Sequence, residues 1–137
     1  MSATVSIDDL AGLHVLLAED ELHVLLLIED FLKELGCEVH TVTTFDDAVA
    51  AAASADVDAA VLDVNLHGRK SFPAAEALAR RRIPIVFSTG YARPGQDTAW
   101  RDRPWLQKPF VVGQLAQALR TALKSGAVAP PPPDTER

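Results

Sequence analysis

Ala59-Ala60-Val61-Leu62-Asp63 is the stretch on which the fold turns. Four apolar residues run without alternation and then stop at a carboxylate. A half-exposed strand would alternate, so this one is buried on both faces, as strands of parallel sheets are. Segments of the same kind lie outward from it in both directions. Upstream, Leu13-His-Val-Leu-Leu17 is a short run of strand formers. A helix over 20–35 follows, with Val24, Leu27, Ile28, Phe31 and Leu35 on one predicted core stripe. Gly36 is its natural stop. Glu38 to Val42 alternates as a half-exposed strand, and Thr44 with Asp47 forms a capping pattern for an alanine-rich helix from Phe45 to Ser54. Downstream, Pro73 to Arg82 reads as a helix with its proline in the first turn. Pro84 to Thr89 is another buried strand, and Pro104 to Lys108 a shorter fifth one. Val112, Leu115, Leu119, Ala122 and Leu123 stripe a last helix. Strand and helix alternate throughout. The predicted fold is therefore α/β, a doubly wound parallel five-stranded sheet with helices on both faces.

Function in such a sheet gathers at the carboxyl ends of the strands. Glu19-Asp20-Glu21 follows the first strand, Asp63 ends the third, Ser88-Thr89-Gly90 ends the fourth and Lys108-Pro109-Phe110 the fifth. Each has an ordinary explanation alone: Glu19 and Asp20 as caps of the first helix, Asp63 as a turn residue, Thr89 as a strand-end hydroxyl, Lys108 as a solvated charge. Together they deliver carboxylates, a hydroxyl and an ammonium to one edge. Clustered carboxylates repel and call for a cation or protons. Oxygen donors suit a hard cation, and carboxylates combined with phosphate oxygens are a common magnesium arrangement. A carboxylate is also a competent nucleophile toward phosphorus.

Composition narrows the classes. The 137 residues carry 13 basic and 19 acidic side chains, a net charge of −6, so nucleic acid and anionic membranes are not expected partners. Cys37 is the single cysteine, which excludes an intrachain disulfide. The longest apolar run, Ala48 to Ala53, is far short of the ~20 residues of a membrane span. The N-terminus lacks the pattern of a signal peptide, and a cytoplasmic location is expected. Four prolines, Pro130 to Pro133, exclude regular structure there.

The stretches Leu16-Leu-Ala-Glu-Asp-Glu21, Val61-Leu-Asp-Val-Asn-Leu66, Phe87-Ser-Thr-Gly-Tyr91 and Leu106-Gln-Lys-Pro-Phe110, in this order, resemble the receiver domain of two-component response regulators. The resemblance implies flavodoxin-like receiver topology. It implies that Asp63 accepts a phosphoryl group from a histidine kinase or phosphotransfer protein. Asp20, Asp63 and the backbone carbonyl of Asn65 would hold Mg2+, with Glu19 acting through water. Thr89 would bond the phosphoryl group and drive the switch, Lys108 would pair with Asp63 and then with its phosphate, and Trp105 stands where the family has its switch aromatic. Phe87 to Tyr91 also looks like the signature of the FAT-GUY subgroup of single-domain receivers.

Departures from the family accompany the match. The loop after Asp63 lacks the usual proline and Met-Asp-Gly turn, and the interval from Asp63 to Thr89 is short. The stretch 90–103 holds Pro94, Gly95 and little apolar periodicity, so the fourth helix is expected to be short, irregular or absent. The domains read as an N-terminal extension over 1–10, a receiver over 11–124 and a disordered proline-rich tail over 125–137. No DNA-binding output domain is expected. The protein would be no enzyme beyond its own phosphorylation and dephosphorylation, and would signal by protein contact. Leu22, Leu25, Leu26 and Leu32 lie off the predicted core stripe and form a candidate docking face for a kinase bundle or a second copy. A downstream protein target and a homodimer complete the partner set. His14, His23, His40 and His67 show no ligand spacing, and Arg80-Arg81-Arg82 reads as a solvated helix end. Two other classes share the architecture. A flavodoxin-like cofactor binder would need a phosphate-cradling loop where Glu19-Asp20-Glu21 stands. An aspartyl-phosphate phosphatase of the haloacid dehalogenase type would want an aspartate where Asn65 stands.

Overall fold

The protein was analysed as a computed structural model that describes residues 10–90 and 99–125. The elements are β1 (His14–Ala18), α1 (Leu22–Glu34), β2 (Glu38–Val42), α2 (Phe45–Ser54), β3 (Ala59–Asp63), β4 (Asn65–Leu66), β5 (Arg69–Lys70), α3 (Phe72–Arg80), β6 (Ile85–Thr89), β7 (Trp105–Gln107) and α4 (Val112–Lys124). Five strands form one parallel sheet in the order β2-β1-β3-β6-β7. This is the doubly wound fold the alternating segments predict.

The sheet splits the apolar residues by parity. Val15, Leu17, Val61 and Val86 face one side and pack against α1 and α4. Leu16, Ala60, Leu62, Ile85 and Phe87 face the other and pack against α2 and α3. Each large aliphatic side chain fully buried in these layers contributes about 1.5–3 kcal/mol of transfer free energy. Strand order reverses at β1, which pairs with both β2 and β3. The crevice at such a reversal is where open α/β sheets bind their ligands.

Local chemistry sets the helix ends. Glu21, rather than Glu19 or Asp20, caps α1: its Oε1 accepts from the Val24 N–H at 2.9 Å. Thr44 Oγ1 accepts from the Asp47 N–H at 3.0 Å and opens α2 as its sequence predicts. Gly36, at φ 91°, ends α1, and a Cβ there would meet the Ala11 Cα at 3.0 Å. Glycine is therefore required both by conformation and by space.

Three expectations need correction. The inner face of α1 is Leu25, Ile28, Leu32 and Leu35, all buried. Val24 and Phe31 are half-buried flanks, and Leu27 is exposed. The helix is apolar over most of its circumference, so two overlapping stripes compete, and packing against β1 and α4 selects the one rotated toward Leu25 and Leu32. Arg81 is not part of a merely solvated end: its guanidinium donates to the Ala52 and Ala55 carbonyls at 2.8 and 2.7 Å, closing the C-terminus of α2. Asn65–Leu66 and Arg69–Lys70 form an antiparallel hairpin that the strand reading did not anticipate. The expectations for residues 1–9, 91–98 and 126–137 lie outside the described residues, and residues 99–103 form turns. No helix among the described residues is long and apolar enough to cross a membrane.

Candidate functional site

Parity carries the site as well as the core. Continuing the α1/α4 face past the strand ends brings Glu19 after Leu17, Asp63 after Val61, Ser88 after Val86 and Lys108 after Leu106. Backbone bonds prolong the ladders to hold these ends. The Glu19 N–H donates to the Val42 carbonyl at 3.2 Å, the Val64 N–H to Ser88 at 3.0 Å and the Lys108 N–H to Thr89 at 2.7 Å.

The side chains converge accordingly. Lys108 Nζ lies 3.1 Å from Glu19 Oε1 and 3.3 Å from Asp63 Oδ2. Asp63 Oδ1 accepts from the Asn65 N–H at 3.3 Å, and Glu19 Oε2 from the Glu21 N–H at 3.2 Å. Asp63 is 4% exposed and Glu19 1%. Asp20, Asp63, Asn65, Thr89 and Lys108 line one cleft of about 380 Å³ with Gly68 and Gly90. Glu19 sits beneath it. Trp105 does not line this cleft: its ring stacks on Phe87 at 4.6 Å and its indole N–H donates to the Trp100 carbonyl at 3.0 Å.

Burial dominates the electrostatics. It pushes the Glu19 carboxyl up to about 7, helped by the neighbouring Asp63 charge and opposed by Lys108. Burial likewise raises the Asp63 carboxyl above its ordinary value, against the attraction of Lys108. For Lys108, burial alone would lower the ammonium, but the two carboxylates outweigh it and hold it above its usual range. One cation is thus shared by two buried acids, with Asp20 a third acid beside them.

The donor set fits a hard divalent cation. Glu19, Asp20 and Asp63 can each offer an oxygen such that these oxygens lie within 4.8 Å of one another. Asn65 Oδ1 is buried without a hydrogen-bond partner among the described residues. Oxygen-only donors with excess negative charge are what magnesium requires of a protein.

The sequence matches the family described as response regulator receiver domain over residues 15–120. The chain belongs to that family. Among similar proteins is the transcriptional regulatory protein TcrA of Mycobacterium tuberculosis, 34% identical over 127 residues, which cover 89% of this chain and 50% of TcrA. The chain therefore spans about half the length of that curated relative. SdrG from Sphingomonas melonis Fr1 is 46% identical with a TM-score of 0.73, over 82% of this chain and 97% of SdrG. The receiver domain of the sensor histidine kinase PA1611 of Pseudomonas aeruginosa PAO1 is 29% identical with a TM-score of 0.70, over 84% of this chain and all of that one. That receiver carries a magnesium ion coordinated in its active site cleft.

Several contacts of this receiver escape sequence reasoning. Ser71 occupies the N-cap position of α3 without capping it. Its buried hydroxyl instead donates to the Asp63 carbonyl at 2.7 Å. Ser88 stands in register with Asp63, and its buried Oγ has no hydrogen-bond partner among the described residues. His67 reaches Asp20 through its backbone N–H at 2.7 Å. Only Ser88 carries a sequence signal, since it and Thr89 break an otherwise apolar strand.

Proposed function

We propose that this receiver accepts a phosphoryl group on Asp63, with Mg2+, from a histidine kinase or phosphotransfer protein. It acts as a stand-alone cytoplasmic regulator that signals by protein contact and turns over no separate substrate. The observation that carries the reading is the buried Asp63 carboxylate, 3.3 Å from Lys108 in a cleft shared with Asp20 and Thr89. The SdrG chain, spanned over 97% of its length, supports the single-domain form.

An Asp63 oxygen forms the new P–O bond while the donor's P–N bond breaks. The electron pair returns to the donor imidazole, which takes up a proton from solvent. Magnesium, when bound by Asp20, Asp63 and the Asn65 backbone, supplies positive charge for the phosphoryl oxygens. Lys108 holds Asp63 in place beforehand and pairs with the phosphate afterwards. Thr89 offers its hydroxyl to a phosphoryl oxygen. Glu19 keeps Lys108 anchored from below.

The site edge adjoins an apolar surface. Leu27 is 45% exposed on α1. With Val24, Phe31, Pro109 and Phe110 it lines a cleft of about 250 Å³ that reaches Lys108. This surface suits a helical bundle that presents its phosphohistidine to Asp63. Incubation with a panel of phosphorylated histidine kinases and magnesium should transfer label to the protein from its cognate donor, and chelation of the metal with EDTA should abolish the transfer. Transfer that is indifferent to EDTA would contradict the metal assignment.

A further inference from the structure

We infer that the β4–β5 hairpin is a brace for Asp20, and that His67 is a positioning residue acting through its backbone N–H; this rests on the reading of Asp20 as a magnesium ligand. The His67 N–H donates to Asp20 Oδ2 at 2.7 Å. It can be aimed there because His67 and Gly68 both have positive φ, 52° and 84°, the signature of a type I′ hairpin turn. In this chain the turn replaces the proline-containing loop usual in the family. A proline has no N–H to give.

The turn is fixed on its other sides. Leu66 is fully buried in the α2/α3 layer. The Arg69 guanidinium lies 3.6 Å over the Phe45 ring and 3.6 Å from Asp46 Oδ1. Ser71 closes the base, donating its N–H to the Val64 carbonyl at 2.8 Å and its hydroxyl to the Asp63 carbonyl at 2.7 Å. A rigid hairpin therefore links β3, which ends in Asp63 and leads into Asn65, to an otherwise separate carboxylate on the β1–α1 loop. One Asp20 oxygen is occupied and the side chain's rotation is restrained, so the other oxygen is held ready for a cation. Groups that orient ligands in this way are worth roughly tenfold or more in metal affinity or activity.

The test compares His67→Gly and His67→Pro with the wild type, with folding checked by circular dichroism. Magnesium affinity is read by isothermal titration calorimetry, and phosphorylation by acetyl phosphate is followed across magnesium concentrations. Glycine keeps the N–H and tolerates the positive φ, so its magnesium Kd should stay within about twofold of wild type. Proline removes the N–H and should weaken magnesium about tenfold, while the phosphorylation rate at saturating magnesium returns to the wild-type value. Wild-type affinity in folded His67→Pro would overturn the brace, as would an equal loss in His67→Gly, which would move the role to the imidazole. If His67→Pro fails to fold, Gly68→Ala takes its place: it strains the turn at φ 84°, and its Cβ meets nothing within 4 Å. Weakened magnesium binding in Gly68→Ala supports the brace and unchanged binding refutes it. A wild-type protein that binds no magnesium would instead remove the site reading beneath the brace.

Discussion

At the scale of single residues, the site is a negotiation among buried charges. Glu19, Asp63 and Lys108 are legible in sequence because each falls at the end of an apolar strand and continues its parity. Nothing in the spacing foretells that Lys108 is shared with Glu19, because that depends on how deeply the β1 end is buried. The shared arrangement has a pH consequence. The folded-state Glu19 carboxyl sits near 7 against 4.5 unfolded, so the folded protein holds that proton more tightly. Its contribution to stability is greatest below pH 4.5, falls as pH rises through the interval up to 7, and is flat above it. Without divalent cation, the unfolding free energy from urea titration should decline between pH 5 and pH 7.5 by on the order of 2 kcal/mol, and the urea midpoint with it. Glu19→Gln should flatten that decline. A midpoint that rises over this interval in the wild type, with no change in the variant, would contradict the burial argument.

At the scale of elements, capping and stripes set what is exposed. Because Glu21 caps α1, Asp20 is released from the helix end and faces the cleft. Glu21→Ala should lower stability by about 1 kcal/mol, seen as a reduced thermal midpoint, with magnesium affinity unchanged. The α1 stripe is the element that sequence reads least well, since five consecutive apolar residues, Val24 to Ile28, leave the inward face undetermined. The hairpin is missed for another reason: its turn is His-Gly rather than the Asn-Gly that usually signals positive φ at both central positions. The resolved face of α1 makes its own prediction. Leu27→Lys lies on an exposed position beside the site cleft and should leave the thermal midpoint nearly unchanged. Transfer from a cognate kinase should slow about tenfold or more, whereas phosphorylation by acetyl phosphate should proceed at the wild-type rate. Equal rates from both donors would remove α1 from the docking surface.

At the scale of the whole molecule, four of the five strands bring residues far apart in the chain to one sheet edge, at the reversal where β1 pairs with both neighbours. That convergence is legible because buried strands and their polar endpoints repeat with helices between them. The aromatic cluster of Phe72, Phe87, Trp100 and Trp105 is not, since its members are scattered and meet only through the layering of α3 and the 99–103 turns against β6 and β7. The signalling role proposed for the molecule depends on Asp63 being the acceptor. Intact-mass spectrometry after treatment with acetyl phosphate and magnesium tests it most directly. The wild type should gain one phosphoryl group and Asp63→Asn none; the same gain in both would contradict the account.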